Sequence, residues 1–108
     1  ANKTIHNLQN SLNIPIYFVL GNHDFYGTSI SKVRLNIDSN LNYLTNENII
    51  SLNNKLALIG HDGWADGRAG DYENSTIASM ISDFYYIDEF KGTSKEEKLE
   101  KLQALSEE

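Results

Sequence analysis

A short apolar run that ends at a glycine is the feature that most restricts how this chain can fold. The run Ile16–Leu20 follows the only proline, Pro15, and is rich in β-branched and aromatic residues, which is typical of a buried strand. The next four residues, Gly21–Asp24, allow a sharp turn and then bring an amide, an imidazole and a carboxylate together. Polar residues at the end of a buried strand in an α/β protein lie where ligands usually bind. The Gly21–Asp24 turn is therefore the first candidate site.

Hydrophobic periodicity predicts helices on both sides of this strand. Ile5, Leu8 and Leu12 lie at helical spacing, so we expect a helix from about residue 4 to residue 10. A second helix should begin after Thr28 or Ser29, either of which can act as its N-cap. Its buried face should contain Ile30, Val33 and Ile37. The segment Asn40–Asn42 interrupts this helical pattern.

The second half of the chain reads as a hairpin, a loop and further helices. Residues 49–52 and 55–59 are two strands joined by a turn at Asn53-Asn54. A glycine-rich, acidic loop covers residues 60–76, and residues 77–89 should be helical in part. Ser94 and Glu97 form a capping box, and Leu99, Leu102 and Leu105 give the following helix an apolar stripe. The order of elements predicts an α/β or α+β fold in mixed layers.

Composition excludes several classes of protein. A formal net charge of −6 argues against a general nucleic-acid surface and against binding to anionic membranes. No apolar run approaches the roughly 18 residues of a membrane span, and the first residues lack the apolar centre of a signal peptide. The chain has no cysteine, which excludes disulfides and thiolate metal sites. We therefore expect a cytoplasmic protein.

The Gly-Asn-His-Asp sequence directly after an apolar strand resembles the third signature of the calcineurin-like metallophosphoesterases. The resemblance implies a metal-dependent phosphoester hydrolase, or phosphatase, with a four-layer αββα sandwich. It also implies two divalent metal ions (Mn, Fe, Zn, Mg or Ni) at the open end of that sandwich. Known substrates of such a family range from phosphoproteins to nucleotides and phospholipids, and nothing in this sequence selects among them.

Each residue of the motif takes a role from this resemblance. Asn22 would be a metal ligand, because in the family the amide oxygen of this asparagine binds one metal. His23 would contact the substrate phosphate and act as general acid, a role that typically contributes about 10²–10⁴-fold in rate. Gly21 and Asp24 would be structural and support the turn. The simpler interpretation is that Asn22 and Asp24 are turn formers and His23 is a surface residue.

A second segment, beginning at Gly60, resembles a Gly-x-x-x-Trp-x-Asp pattern that family members carry near the substrate. Trp64 would line the substrate cleft or, as we favour, fill the core beneath the loop. Arg68 would bind a substrate phosphate or form an ion pair with Asp66 or Asp71. His61 is a tentative substrate or metal residue, although the residues that follow it do not match the family's later histidine motifs.

The other ligand motifs of the family are absent from this sequence. Neither Asp-x-His nor Gly-Asp-x-x-Asp occurs before Gly21, and the later histidine motifs do not follow Phe90. We therefore interpret residues 1–108 as the central part of a single metallophosphoesterase catalytic domain, truncated at both ends. One confident ligand cannot hold a metal tightly, because hard cations need several donors. The chain alone should bind metal weakly and be inactive.

Two alternatives to a phosphoesterase remain open. Asp62–Glu73 has part of the spacing of an EF-hand calcium loop, although Trp64 occupies a position that should coordinate. The aromatic cluster Phe84-Tyr85-Tyr86, with Ile87 and Phe90, could instead be the surface of a non-catalytic interaction module. An exposed core around this cluster would also favour self-association.

Overall fold

The computed structural model describes residues 2–45 and 47–108, except for the side chains of residues 77 and 78. The described residues form a mixed α/β fold of four α-helices and two separate two-stranded sheets. The helices are α1 (Asn2–Leu12), α2 (Ile30–Leu35), α3 (Asp83–Tyr86) and α4 (Lys95–Ser106). The strands are β1 (Tyr17–Phe18), β2 (Asn42–Tyr43), β3 (Ile50–Asn53) and β4 (Leu56–Leu58). No helix in these ranges is long and apolar enough to cross a membrane.

Strands β1 and β2 form the parallel sheet that leads into the Gly21–Asp24 turn. Tyr17 pairs with Asn42 and Phe18 with Tyr43, and the backbone amide of Leu44 donates to the Phe18 carbonyl at 2.8 Å. The predicted interruption at Asn40–Asn42 is confirmed, because α2 ends at Leu35 and the helical pattern does not continue through these residues. The sequence did not predict strand β2, which is half-buried at the edge of its sheet.

The prediction of a buried strand before the turn was wrong in extent and in burial. Strand β1 contains two residues, Tyr17 and Phe18, and both are half-buried. Val19 is 44% exposed, whereas Leu20 is 2% exposed and belongs to the core. A two-stranded sheet covers neither face of β1 completely, so the burial expected of a central strand does not arise here.

Helix α2 confirms the predicted cap and its buried face. The Ser29 hydroxyl accepts a hydrogen bond from the Lys32 amide at 3.1 Å, so Ser29 is the N-cap of the two candidates. Ile30 is buried, and Val33 and Ile37 pack against the core while remaining half-buried. Through these contacts, α2 packs the segment after the Gly21–Asp24 turn against the core.

The hairpin was predicted correctly, and its turn is held by a side chain. Strands β3 and β4 are antiparallel, with Ile50 opposite Leu58 and a bulge before Asn53. The Asn53 carboxamide oxygen accepts from the amides of Lys55 and Leu56 at 2.8 and 3.1 Å. This local hydrogen bonding is the reason that asparagine favours tight turns.

The core lies directly behind the Gly21–Asp24 turn. It joins residues from the strand end, the turn, α2, α3 and α4, and its buried members are Leu20, Phe25, Ile30, Phe84, Ile87, Phe90 and Leu102. Helix α4 begins at the predicted capping box, in which the Ser94 hydroxyl accepts from the Glu97 amide at 3.1 Å. The Glu97 carboxylate in turn accepts from the Ser94 amide at 2.6 Å. The partly helical character predicted for residues 77–89 is also confirmed by a 3₁₀ turn and α3.

Candidate functional site

The Gly21–Asp24 turn is closed by reciprocal hydrogen bonds between its first and last residues. The Asp24 carboxylate accepts from the Gly21 amide at 2.9 Å, and the Asp24 amide donates to the Gly21 carbonyl at 3.0 Å. Gly21 has a φ of −107°, an extended conformation that any residue can adopt. The turn therefore does not use the conformational freedom for which we predicted a glycine here.

The residue after the turn anchors it to the core. Phe25 is fully buried, and its ring lies 5.7 Å from the ring of Trp64 in a stacked arrangement. The ring of Trp64 also lies 5.9 Å from that of Phe90. Phe25 thereby anchors the turn in the core, whereas Asn22 and His23 are exposed to solvent.

Asn22 and Tyr26 both donate to one carboxylate oxygen of Asp83. The Asn22 amide nitrogen lies 2.8 Å and the Tyr26 hydroxyl 2.6 Å from Asp83 Oδ1. The hydrogen bond to Asp83, with a smaller contribution from burial, raises the pKa of Tyr26 to about 12. Sequence reasoning missed Asp83, since an acidic residue in the first turn of a short helix carries no motif.

His23 is exposed and lies against an aromatic ring. Its imidazole centre is 4.6 Å from the ring of Tyr26, which in turn lies 5.2 Å from the ring of Tyr86. The imidazole nitrogens of His23 make no hydrogen bond to any described residue. The side chain is therefore supported on one face while both nitrogens remain available to a ligand.

Asp62 fixes the end of β1 immediately before the turn. Its side chain is 2% exposed and accepts from the Leu20 amide at 2.9 Å. Its second oxygen accepts from Arg34 at 2.9 Å and from the Tyr43 hydroxyl at 2.7 Å. Burial first, and then the hydrogen bond to Asp62, raise the pKa of Tyr43. Asp62 thus ties together the strand end, α2 and β2.

Trp64 fills the core beneath its loop, in agreement with the interpretation that we favoured. It is half-buried between Phe25 and Phe90. Its indole nitrogen is buried and makes no hydrogen bond within the described part of the chain. These ring contacts assign Trp64 to packing against the core.

Arg68 lies in ion pairs at the surface of the loop. Its guanidinium lies 3.3 Å from Asp66 and also binds Glu107 near the end of the chain. The Asp66 carboxylate additionally accepts from the Arg68 backbone amide at 2.9 Å. Of the two roles considered for Arg68, substrate binding and an ion pair, the structure shows an ion pair with Asp66.

The ring nitrogens of His61 are both used by the backbone. Nδ1 accepts from the Gly63 amide at 2.8 Å, and Nε2 lies 3.1 Å from the Leu105 carbonyl. These partners assign the proton to Nε2, because a carbonyl oxygen can only accept. The structure therefore joins His61 to the C-terminal helix.

The described residues do not assemble a metal centre by themselves. They contain no group of three His, Cys, Asp or Glu side chains that could hold a metal ion. Asn22 offers one amide oxygen, a donor suited to a hard cation. A single donor of this kind does not hold a hard cation, which needs several converging oxygen ligands.

In the calcium-loop alternative, the carboxylates that should bind calcium instead contact other groups of this chain. Asp62 is buried on Arg34 and Asp66 accepts from Arg68. Among the described residues, Asp62, Asp66 and Glu73 do not form a group that could hold a metal ion. This geometry gives no support to a calcium site.

A cleft of about 660 Å³ lies beside the buried Asp62 carboxylate and away from Asn22 and His23. Arg34 lines this cleft and pairs with both Asp62 and Glu108, at 2.9 and 2.8 Å. Its cationic group is thereby already neutralised. The Gly21–Asp24 turn remains the stronger candidate site, because its imidazole is free.

The chain matches no protein-family model, no curated protein and no solved structure. A functional assignment therefore depends on the residues of the turn and on their surroundings.

Proposed function

We propose that this chain carries part of the active site of a calcineurin-like metallophosphoesterase, a metal-dependent phosphoester hydrolase. The observation that supports the proposal is the exposed pair Asn22 and His23 on a turn whose other residues are fixed. Asp24 closes the turn through Gly21, and Phe25 anchors it in the core. The His23 imidazole, which rests against the Tyr26 ring and has no hydrogen-bond partner among the described residues, is free to contact a phosphate.

The proposal gives each residue of the pair a separate task. The Asn22 amide oxygen is one ligand of a divalent metal, and as a neutral group it adds no negative charge beside an anionic substrate. His23 hydrogen-bonds the substrate phosphate and donates a proton to the leaving oxygen. A bound metal pair would polarise the phosphoryl oxygens and activate a water molecule as the nucleophile.

The remaining ligands and the rest of the αββα sandwich would come from residues outside this sequence. Two ions of Mn, Fe, Zn, Mg or Ni need several converging donors, and this chain contributes Asn22. We therefore expect weak metal binding and no turnover from the 108 residues alone. A cytoplasmic location and a phosphoester substrate of unspecified class belong to the same proposal.

We do not extend the proposed substrate site to the Gly60–Thr76 loop. Arg68 is paired with two carboxylates, Trp64 packs in the core, and both nitrogens of His61 are occupied. Any contact of these side chains with substrate would first require these interactions to break. The proposed function depends on Asn22 and His23.

The test is phosphoester hydrolysis by the full-length protein that contains this chain. We expect Mn²⁺-dependent hydrolysis of p-nitrophenyl phosphate that falls about 10²–10⁴-fold in His23→Ala, the loss typical of a missing general acid. Asn22→Ala should also lose turnover, and it should raise the Mn²⁺ concentration needed for half-maximal binding in calorimetry. His23→Ala should leave Mn²⁺ affinity unchanged.

Asn7→Ala is the matched control, since Asn7 is an exposed asparagine on α1. It should retain both activity and Mn²⁺ affinity. Full activity in both Asn22→Ala and His23→Ala would instead mean that the Gly21–Asp24 turn is only structural, and the proposed function would be wrong.

A further inference from the structure

We propose that Asp83 is a positioning residue for this site, which orients the Asn22 amide and, through Tyr26, the His23 ring. The inference rests on the proposed function. It adds a residue that lies 61 positions from Asn22 in the chain and belongs to no motif in the sequence. One carboxylate oxygen would thereby set the geometry of both functional side chains.

The chemistry of a carboxylate selects one of the two orientations of the Asn22 amide. An ionised carboxylate can only accept hydrogen bonds, so the amide group must turn its nitrogen toward Asp83. The observed contact, 2.8 Å from Asn22 Nδ2 to Asp83 Oδ1, has this orientation. The amide oxygen then points away from Asp83, and it accepts no hydrogen bond from the described residues. An oxygen held in this way is pre-oriented for a hard cation.

The same oxygen of Asp83 holds the ring that supports His23. The Tyr26 hydroxyl donates to Oδ1 at 2.6 Å, which fixes the phenol at its outer end. The Tyr26 ring contacts the rings of both His23 and Tyr86, with centroid distances of 4.6 and 5.2 Å. Removing the Asp83 carboxylate would release the hydroxyl and loosen the surface on which the imidazole rests.

Helix α3 holds Asp83 in a fixed position because contacts other than those of the Asp83 side chain secure the helix. Phe84 and Ile87 are buried in the core. The Gly27 amide donates to the Tyr86 carbonyl at 2.7 Å, and the Asp88 amide donates to the Thr28 carbonyl at 2.9 Å. The backbone therefore joins the α3 region to the residues that follow the turn, without the Asp83 side chain. The two hydrogen bonds that the Asp83 carboxylate accepts therefore serve to orient Asn22 and Tyr26.

The experiment compares Asp83→Asn with wild type in the full-length protein. An asparagine at position 83 can donate as well as accept, so the Asn22 amide would lose its single orientation. We expect Mn²⁺ affinity, measured by calorimetry, to fall about tenfold or more, as is typical when a partner of a metal ligand is lost. Turnover of p-nitrophenyl phosphate should fall with it.

Two further variants separate the two tasks of Asp83. Tyr26→Phe keeps the bond to Asn22 and removes the bond to the phenol, so kcat should fall while Mn²⁺ affinity is retained. Asp88→Asn is the matched control, because it makes the same change of charge five residues away and disrupts an exposed pair with Lys91. It should retain both Mn²⁺ affinity and kcat.

The outcomes distinguish this inference from the proposed function. If wild type binds Mn²⁺ and Asp83→Asn loses thermal stability but keeps full Mn²⁺ affinity and kcat, Asp83 is merely structural and the inference is overturned. If wild type itself neither binds Mn²⁺ nor hydrolyses the ester, the proposed function fails, and the inference fails with it. Loss of affinity in Asp83→Asn, with normal affinity in Asp88→Asn, supports both.

Discussion

Asp62 shows how one buried carboxylate can organise the approach to a surface site. It is 2% exposed and accepts from a backbone amide, a guanidinium and a phenol. A buried charge is tolerated when a countercharge and hydrogen bonds replace its water, and Arg34 and Tyr43 meet both requirements. The hydrogen bond from the Leu20 amide to Asp62 fixes the residue that directly precedes Gly21.

We predict that Asp62→Ala strongly destabilises the 108-residue chain. The change would leave Arg34, the Tyr43 hydroxyl and the Leu20 amide without their partner, at a cost of roughly 3 kcal/mol in the free energy of unfolding. Urea denaturation followed by tryptophan fluorescence would measure the loss. Asp66→Ala, which breaks a more exposed pair with Arg68, should cost less than about 1 kcal/mol. Equal losses in the two variants would contradict a special role for Asp62.

Among the elements, α1 is attached to the rest of the chain by polar contacts. None of its residues is buried, and Leu8 and Leu12 are 47% and 56% exposed. The His6 ring lies 2.9 Å from the Asp38 carboxylate, and the Asn2 side chain donates to the Asn36 carbonyl at 2.7 Å. Elements with few buried contacts open at a low free-energy cost, so α1 should respond to changes in these polar contacts.

We predict that acid loosens α1 through Asp38. Hydrogen bonds from the Asn40 backbone and then from His6 lower the pKa of Asp38. A lowered pKa in the folded state means that this contribution is complete above the unfolded pKa of about 4 and is lost as the pH falls through the folded pKa. Hydrogen-exchange protection of the α1 amides should therefore decrease below about pH 4.

The variant Asp38→Asn should have low α1 protection at every pH, without the acid-dependent decrease. Asp88→Asn is the control, since it removes an exposed carboxylate that contacts Lys91 and not α1. An unchanged pH profile in Asp38→Asn would show that the His6–Asp38 pair does not hold α1.

The whole molecule is more extended than its length requires. Its radius of gyration is 16.3 Å, and its principal extents are 49, 32 and 19 Å. A compact domain of this length would have a radius of about 13 Å. The β3–β4 hairpin has large exposed side chains, among them Leu52 and Leu56 at 53% and 60%. A two-stranded sheet with apolar side chains and unpaired edges is a surface that pairs readily with another chain.

We predict that the 108-residue chain self-associates through this hairpin. The proposed partner is a second copy of the chain, and sedimentation velocity over a range of concentrations should detect a reversible dimer or larger species. Leu56→Lys should shift the chain toward monomer, because it adds charge at an apolar edge. Leu35→Lys is the control, since Leu35 is 85% exposed and lies on α2, outside the hairpin. Identical behaviour of the two variants would exclude the hairpin as the surface.

The sequence by itself determined the features whose causes lie within a few neighbouring residues. Ser29 caps α2, Ser94 and Glu97 form their capping box, and Asn53 closes the hairpin turn, all through bonds across two or three residues. The place of the Gly21–Asp24 turn follows from the same local chemistry. Such bonds join groups that lie two or three residues apart, so residue type and spacing are enough to predict them.

The tertiary structure decided which side chains meet across the chain. Asn42 and Tyr43 became a strand because β1 lies beside them, and Asp62 became buried because Arg34 and Tyr43 approach it. The partner of Asn22 is Asp83, 61 residues away. These contacts depend on how the helices and strands pack around the core, and residue type and spacing along one sequence do not determine that packing.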